Sequence, residues 1–152
     1  MMAPIASPFH SARWFAELIA SAKADRLAME QLGIADLRLG LEIVDADGPP
    51  HMYGIVLDGY DIESLGEVME KEFAPEVVVS GPADAWREMI SSIETNGSAD
   101  AAHTLNTLTI TGLPFSVRAD DAMGHDKVFR YMGTLQAIFD AAGSPAQVST
   151  GR

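Results

Sequence analysis

The chain has 152 residues, enough for one domain with a hydrophobic core, and 47% of them are hydrophobic. Its formal net charge is −12, and residues 30–100 contain 16 acidic side chains against three basic ones. Such a surface repels phosphate backbones and anionic bilayers, so we expect no binding to nucleic acid. The chain has no cysteine, which excludes disulfides and thiolate chemistry. It also has no apolar run long enough to span a membrane, so we expect no integral membrane insertion.

The two ends of the chain carry no recognisable targeting signal. Residues 1–8 lack the basic and apolar regions of a secretory signal, and the C-terminal Thr-Gly-Arg differs from the peroxisomal import tripeptide. We therefore expect a cytoplasmic protein. We also expect residues 144–152 to form a flexible tail.

The N-terminal part of the chain predicts a helix. Ser7 can cap it, Pro8 suits its first position, and Gly33 can end it. We expect residues 1–35 to be an N-terminal helical segment packed on a domain that spans residues 36–143. A lid or a partner-binding helix is the alternative role for this segment.

The next stretch predicts a β-hairpin. Large apolar residues alternate with polar or small ones at Leu37, Leu39, Leu41 and Ile43. This alternation is typical of a half-buried strand, and we expect its apolar face to lie in a sheet against the final helix. Residues 45–50 (Asp-Ala-Asp-Gly-Pro-Pro) form a turn by their composition, and residues 51–57 provide the partner strand.

Residues 62–73 are predicted to form a short helix. Their large apolar side chains keep helical spacing at Ile62, Leu65, Met69 and Phe73. Glu67 and Lys71 add a favourable pair four residues apart.

The middle of the chain predicts a strand that leads directly into a helix. Residues 77–79 are three valines, which favour a strand, and Gly81-Pro82 ends it. Pro82 suits a first helical position, and Asn96-Gly97 suits a helix end. Between them, one apolar stripe with helical spacing consists of Trp86, Met89, Ile90 and Ile93.

The last third predicts a short helix, two strands and a long helix. Ser98 can cap the short helix, which reaches Leu105, and residues 107–112 alternate threonine with apolar residues as a strand does. Phe115 and Val117 predict an edge strand. The final helix is predicted from residue 126 to residue 142, with an apolar stripe of Val128, Phe129, Met132, Leu135, Ile138 and Phe139.

This order of elements resembles the SCP2 (sterol carrier protein 2) family of lipid-binding domains. In that family an apolar strand ending in Ser-Gly leads into a helix, and a later strand ends in Thr-Gly. The matching stretches here are residues 77–81, 83–93 and 108–112, and looser matches extend over residues 36–142. The resemblance implies an α+β fold with about five strands and a third strand near residues 62–73, where the spacing predicts a helix. Consecutive strands without alternating helices favour a mainly antiparallel sheet covered by helices.

The resemblance also implies a ligand, because SCP2-like domains hold a fatty acid, an acyl-CoA or a sterol between sheet and helices. The residues expected to line such a cavity are Trp86, Met89, Ile90, Phe129, Met132, Leu135 and Phe139. The chain's eight methionines suit this role, since methionine adapts to irregular apolar shapes. We expect no cofactor and no catalytic residue, and therefore a binding protein that is not an enzyme.

Other uses of these residues stay open. The same apolar stripes would build an ordinary core, and the domain would then be a structural or protein-interaction module. A small enzyme acting on a hydrophobic substrate is the third alternative. No metal site is expected, because the four histidines lack close ligand spacing and Pro49-Pro50 interrupts the calcium-like residues 45–48.

Overall fold

The computed structural model describes residue 9 and residues 11–110 and 112–143, which form a five-stranded sheet and seven helices. The strands are β1 (Ala35–Val44), β2 (His51–Gly59), β3 (Asp61–Glu67), β4 (Val77–Pro82) and β5 (Ser116–Ala119). The helices are α1 (Ala12–Ala24), α2 (Arg26–Gln31), α3 (Glu70–Phe73), α4 (Ala83–Asn96), α5 (Leu105–Leu108), α6 (Ala122–Arg130) and α7 (Met132–Asp140). The predicted α+β class and the five strands are confirmed. The predicted cap at Ser7 and Pro8 and the predicted tail lie outside the described residues.

The sheet is mixed, with the strand order β3-β2-β1-β4-β5. Three neighbouring pairs are antiparallel, but β1 and β4 run parallel. The prediction of a mainly antiparallel sheet was therefore wrong. The parallel pair results from the connection over residues 68–76. This connection carries the chain across the sheet, so that β4 runs beside β1 in the same direction.

One side of the sheet, here called the helix side, carries the main core. Four side chains of β1 are at most 1% exposed there: Leu37, Leu39, Leu41 and Ile43. They belong to one apolar cluster with residues of α1, α4 and α7. The buried face predicted from the alternation in β1 is confirmed, because a period of two places every second side chain on the same face.

The opposite side of the sheet, here called the open side, has a small apolar cluster of its own. Met52, Phe73 and Val78 are buried there, outside the main core. The Phe73 ring lies over Gly54, where an added Cβ would stand 3.1 Å from the ring. The guanidinium carbon of Arg38 lies 4.3 Å from the centroid of the same ring. The connection over residues 68–76 is thus anchored on the open side by one aromatic ring.

The helix predicted over residues 62–73 was wrong for most of its length. The stretch consists of most of β3, a two-residue connection in which Met69 is extended, and the four-residue helix α3. The register between β2 and β3 shifts at Gly54/Ile55, and this irregularity breaks the period of two in the sequence of β3. The helical spacing there is incidental, because Leu65 and Met69 are exposed while Ile62 is buried. The third strand that the resemblance implies is present here.

The strand predicted over residues 107–112 is also absent from the described part of the chain. Thr104 instead caps α5 by accepting the backbone N–H of Thr107, and the Thr107 hydroxyl donates to the carbonyl of Ala101. The Thr109 hydroxyl donates to the carbonyl of Asn106. Threonine side chains therefore stabilise a helical turn here rather than one face of a strand. Ser98 does not begin a helix, and α5 starts only at Leu105.

Both long predicted helices are divided in two. The N-terminal one breaks at Asp25, whose side chain accepts the N–H of Ala28 and so caps α2. The final one breaks at Tyr131, between α6 and α7. The predicted edge strand near Val117 is present as β5, and α4 follows β4 directly and ends at Gly97 with φ of 87°, as predicted.

We expect Gly124 in α6 to be indispensable for packing. An added Cβ would stand 2.5 Å from the backbone carbonyl oxygen of Glu76, at the entrance to β4. Alanine would gain up to about 1 kcal/mol in helix propensity, but a backbone overlap cannot be relieved by rotating a side chain. Gly124→Ala should therefore lower the free energy of unfolding by about 1–3 kcal/mol, measured by urea denaturation.

Gly133 in α7 provides the matched control. Apart from its chain neighbours and the backbone of its own helix, no heavy atom lies within 4 Å of the position that its Cβ would take. Gly133→Ala should raise the free energy of unfolding by up to about 1 kcal/mol. Equal effects of the two substitutions would contradict the close packing of α6 on the chain at Glu76.

Candidate functional site

A groove of about 650 Å³ opens between the loop that leads into β5 and helix α6, beside the edge strand of the sheet. We call it the edge groove. Its described lining residues are Asn106, Thr109, Ile110, Gly112, Leu113, Phe115, Ser116, Val117, His125 and Phe129. The volume lies within the usual range of small-molecule pockets, which is roughly 300–1,000 Å³.

Apolar side chains form the floor and the rim of the edge groove. Phe115 is 3% exposed and provides the floor, whereas the rim residues Ile110, Leu113 and Phe129 are 55%, 44% and 40% exposed. Large apolar groups at this exposure remain in contact with water in the free protein. A ligand that covered them would remove that surface from water, which is favourable in proportion to the area covered.

The floor of the edge groove is held in place by a glycine on the neighbouring strand. A Cβ at Gly81 would stand 2.3 Å from the Phe115 ring, so the ring lies directly on the backbone of β4. The Phe115 N–H donates to the carbonyl of Leu108 at 3.0 Å. The Phe115 ring also packs on Trp86, with 4.4 Å between centroids, and Trp86 packs in turn on Phe139 at 5.9 Å. The groove floor is therefore continuous with the main core.

The polar groups of the edge groove are uncharged hydroxyl and amide groups and one imidazole. They belong to Asn106, Thr109, Ser116 and His125, and the imidazole centroid lies 5.2 Å from the centroid of Phe129. Among the described residues that line the groove there is no Lys, Arg, Asp or Glu. This is unusual for a chain whose formal net charge is −12.

Most of the residues predicted to line a cavity lie in the main core. The side chains at most 3% exposed are those of Trp86, Met89, Ile90, Leu135 and Phe139. Met132 is partly buried against the same core. Phe129 is the one predicted residue among the described lining of the edge groove, and the break at Tyr131 separates it from the buried stripe of α7.

The prediction from sequence missed Ile110, Leu113 and Phe115 as site residues. The alternation over residues 107–112 predicts a strand at Ile110, and the sequence places Phe115 in an edge strand, so neither pattern indicates a groove. A usable signal was present, because three large apolar residues lie close together in a stretch rich in glycine, proline and threonine. A loop of that composition that leaves large apolar groups such as Ile110 and Leu113 exposed is typical of a binding surface.

A network of charged and polar side chains lies beside the edge groove, on the open side of the sheet. We call it the Glu42 network, and it consists of Glu42, Glu70, Ser80 and Arg118. Ser80 donates its hydroxyl to Oε1 of Glu42 at 2.8 Å, and Nη1 of Arg118 donates to the same oxygen at 3.0 Å. Nη2 of Arg118 donates to Oε1 of Glu70 at 2.6 Å. One guanidinium thus joins β5 to β1 and to α3.

The network fixes the charge state of Glu42. Burial would raise the pKa of the Glu42 carboxyl, but the hydrogen bonds from Arg118 and Ser80 and the charge of Arg118 together hold this pKa below its usual value of 4.5. The hydrogen bond to Glu42 raises the pKa of Arg118. Ser80 therefore donates to a stably ionised acceptor, which favours a structural role for its hydroxyl over a nucleophilic one.

No described group of three or more His, Asp or Glu side chains is placed to hold a metal ion. Asp121, an acidic residue near His125, instead caps α6 by accepting the N–H of Gly124 at 2.8 Å. The His103 imidazole is hydrogen-bonded to Asp100, with 2.7 Å between Nδ1 and Oδ1. None of the helices in the described part of the chain combines the length and the hydropathy that a bilayer crossing requires.

Two other depressions, of about 360 and 550 Å³, differ from the edge groove in their charge. The first lies between α1, α2 and the turn after β2, and five of its seven described lining residues are charged. The second lies at the start of α4, and four of its eight described lining residues are charged. Neither offers an apolar floor comparable to Phe115.

We expect the stabilising effect of Glu42 to depend on pH. Glu42→Gln keeps the shape but removes the charge that two donors share, so it should lower the free energy of unfolding by about 1–3 kcal/mol at neutral pH. Because the pKa of Glu42 is lower in the folded state, its stabilisation is present above the usual value of 4.5 and is lost as the pH falls through the lower folded value. Denaturation curves of wild type and variant should therefore converge on acidification.

The control for this experiment is Glu63→Gln, at an exposed position of β3. It should change the free energy of unfolding by less than about 0.5 kcal/mol. A difference between wild type and Glu42→Gln that stays constant down to strongly acidic pH would contradict the role of the Glu42 charge.

Comparison of the chain with protein-family models, with curated proteins and with solved structures finds no significant match. What the site can do chemically follows from its own residues.

Proposed function

We propose that this chain is an SCP2-like, non-enzymatic binder of hydrophobic small molecules, such as a fatty acyl chain or a sterol, and that the edge groove holds the ligand. The observation that carries the proposal is the apolar lining of one concave groove: a buried aromatic floor at Phe115 and a partly exposed rim. Phe129 is the one described lining residue of this groove that belongs to the set implied by the SCP2 resemblance. Transfer of the ligand between acceptors would follow from the openness of the rim to solvent.

The binding energy would come mainly from burial of apolar surface. Each methylene of a ligand removed from water contributes about 0.8 kcal/mol, so an acyl chain needs few polar contacts. The rim residues Ile110, Leu113 and Phe129 would be covered by the same event. We expect loose selectivity for the apolar body of the ligand, because the groove is open on one side.

One feature of the groove supports binding without catalysis. The polar groups of the lining include one imidazole, but the ordered carboxylate of Glu42 lies outside the groove and is held ionised by Arg118. The excess of acidic residues supports uptake from the cytoplasmic solution rather than from an anionic bilayer.

The first test introduces a charge at the rim. Leu113→Asp and Phe129→Asp replace side chains that are 44% and 40% exposed, so both variants should fold. A carboxylate beside the ligand is costly to desolvate, and we expect about tenfold weaker binding or more of the neutral dye Nile red in a fluorescence titration. Leu27→Asp, at a position 66% exposed on α2, is the matched control and should bind as wild type does.

Several outcomes would contradict the proposal. Unchanged dye binding in both rim variants would show that the edge groove is not the site. Absence of both dye binding by the wild type and any co-purifying lipid in native mass spectrometry would favour the protein-interaction module instead.

The second test disturbs the floor without adding charge. Gly81→Ala would place a Cβ 2.3 Å from Phe115 and push its ring towards the groove. We expect the affinity for Nile red to fall by about threefold or more. In a Trp14→Phe background Trp86 is the remaining tryptophan, and its emission should change as well, since its ring packs on Phe115. Gly133→Ala is the control, and wild-type affinity in Gly81→Ala would contradict the position of the floor.

A further inference from the structure

The charges around the edge groove determine which polar end of a ligand it can accommodate. The described lining contains no Lys, Arg, Asp or Glu. Its polar side chains are hydroxyl, amide and imidazole groups, from Asn106, Thr109, Ser116 and His125. An ionised carboxylate that enters such a lining loses hydration without meeting a cation, which costs far more than the burial of a hydroxyl.

The cation of the edge strand, Arg118, does not compensate for the lost hydration of a carboxylate. Arg118 follows Ser116 by two residues in β5, so both side chains point to the open side of the sheet. Its guanidinium already donates to Glu42 at 3.0 Å and to Glu70 at 2.6 Å. Two carboxylates thus surround one positive charge, and the Glu42 network as a whole carries a net negative charge towards a ligand at Ser116.

Helix α6 carries two basic residues, Lys127 and Arg130, but neither is among the described lining residues of the groove. Lys127 is already paired with Glu76 at 2.6 Å and with Asp36 at 3.4 Å. Arg130 is exposed, and so is Asp126, which lies four residues before it on the same helix. Solvent screens exposed charges such as those of Asp126 and Arg130.

We propose that the edge groove selects hydrophobic ligands with an uncharged polar end, such as an alcohol, an ester or an amide, over the ionised carboxylate of the same chain length. This inference rests on the proposed function and narrows its ligand class. A hydroxyl end can both donate and accept, which suits the hydroxyl and amide groups of Ser116, Thr109 and Asn106. A carboxylate can only accept hydrogen bonds, and at Ser116 it would lie towards the net negative charge of the Glu42 network.

The primary experiment compares dodecanol with dodecanoate on the wild-type chain, by displacement of Nile red at about pH 8, where the carboxylate is ionised. Both ligands stay below the concentration at which they aggregate. We expect dodecanol to bind about tenfold tighter or more. Equal binding, or tighter binding of dodecanoate, would overturn the inference while leaving the proposed function intact. Displacement by neither ligand, with no dye binding, would overturn both.

Two variants with opposite charge changes test the source of the preference. Glu42→Gln combined with Glu70→Gln leaves Arg118 unneutralised, so the preference for dodecanol should narrow by about threefold or more. Arg118→Gln leaves both carboxylates unpaired, so the preference should widen. Circular dichroism checks that each variant is folded, and the wild-type comparison stands if one is not. A shift of the preference in the same direction in both variants would overturn the assignment to the Glu42 network.

Discussion

The parallel pairing of β1 with β4 is the constraint on which the rest of the structure depends. It is anchored at its start by two bonds, from the Glu76 N–H to the Arg38 carbonyl and from the Arg38 N–H to the Glu76 carboxylate, both 2.9 Å long. Near its end the Trp86 indole donates to the carbonyl of Glu42 at 3.2 Å. This register places Gly81 where Phe115 can lie on it, and it therefore positions the edge groove.

The elements that could be predicted from sequence are those whose signal is local. The buried face of β1 and the apolar stripe of α4 follow from the spacing of apolar residues within each element, and both were predicted correctly. The direction of β4 could not be predicted, because it depends on how residues 68–76 cross the sheet, with Phe73 over Gly54. The groove was missed for a similar reason. Phe115 becomes the floor of the groove only because it packs on Gly81, a residue on another strand, and this contact is not visible in the local sequence. Phe129 was predicted because it lies on a helix with a clear period.

Two basic residues, Arg118 of β5 and Lys127 of α6, each pair with two acidic residues. Arg118 holds two carboxylates of the Glu42 network, and Lys127 lies 2.6 Å from Glu76 and 3.4 Å from Asp36. Each base therefore ties separate segments of the chain to the sheet. In a chain with so many acids, the loss of one such base would leave two carboxylates facing each other, which is a larger effect than the loss of a single surface pair.

The contact between Gly81 and Phe115 also constrains how this chain can change in evolution. Any side chain at position 81 occupies the space of the ring at position 115, so the two positions share one fixed volume. A methyl group at 81 leaves the ring in its place only when a smaller residue stands at 115. The sizes of these two residues should therefore vary inversely among descendants of this sequence, although 81 lies on an inner strand and 115 precedes the edge strand.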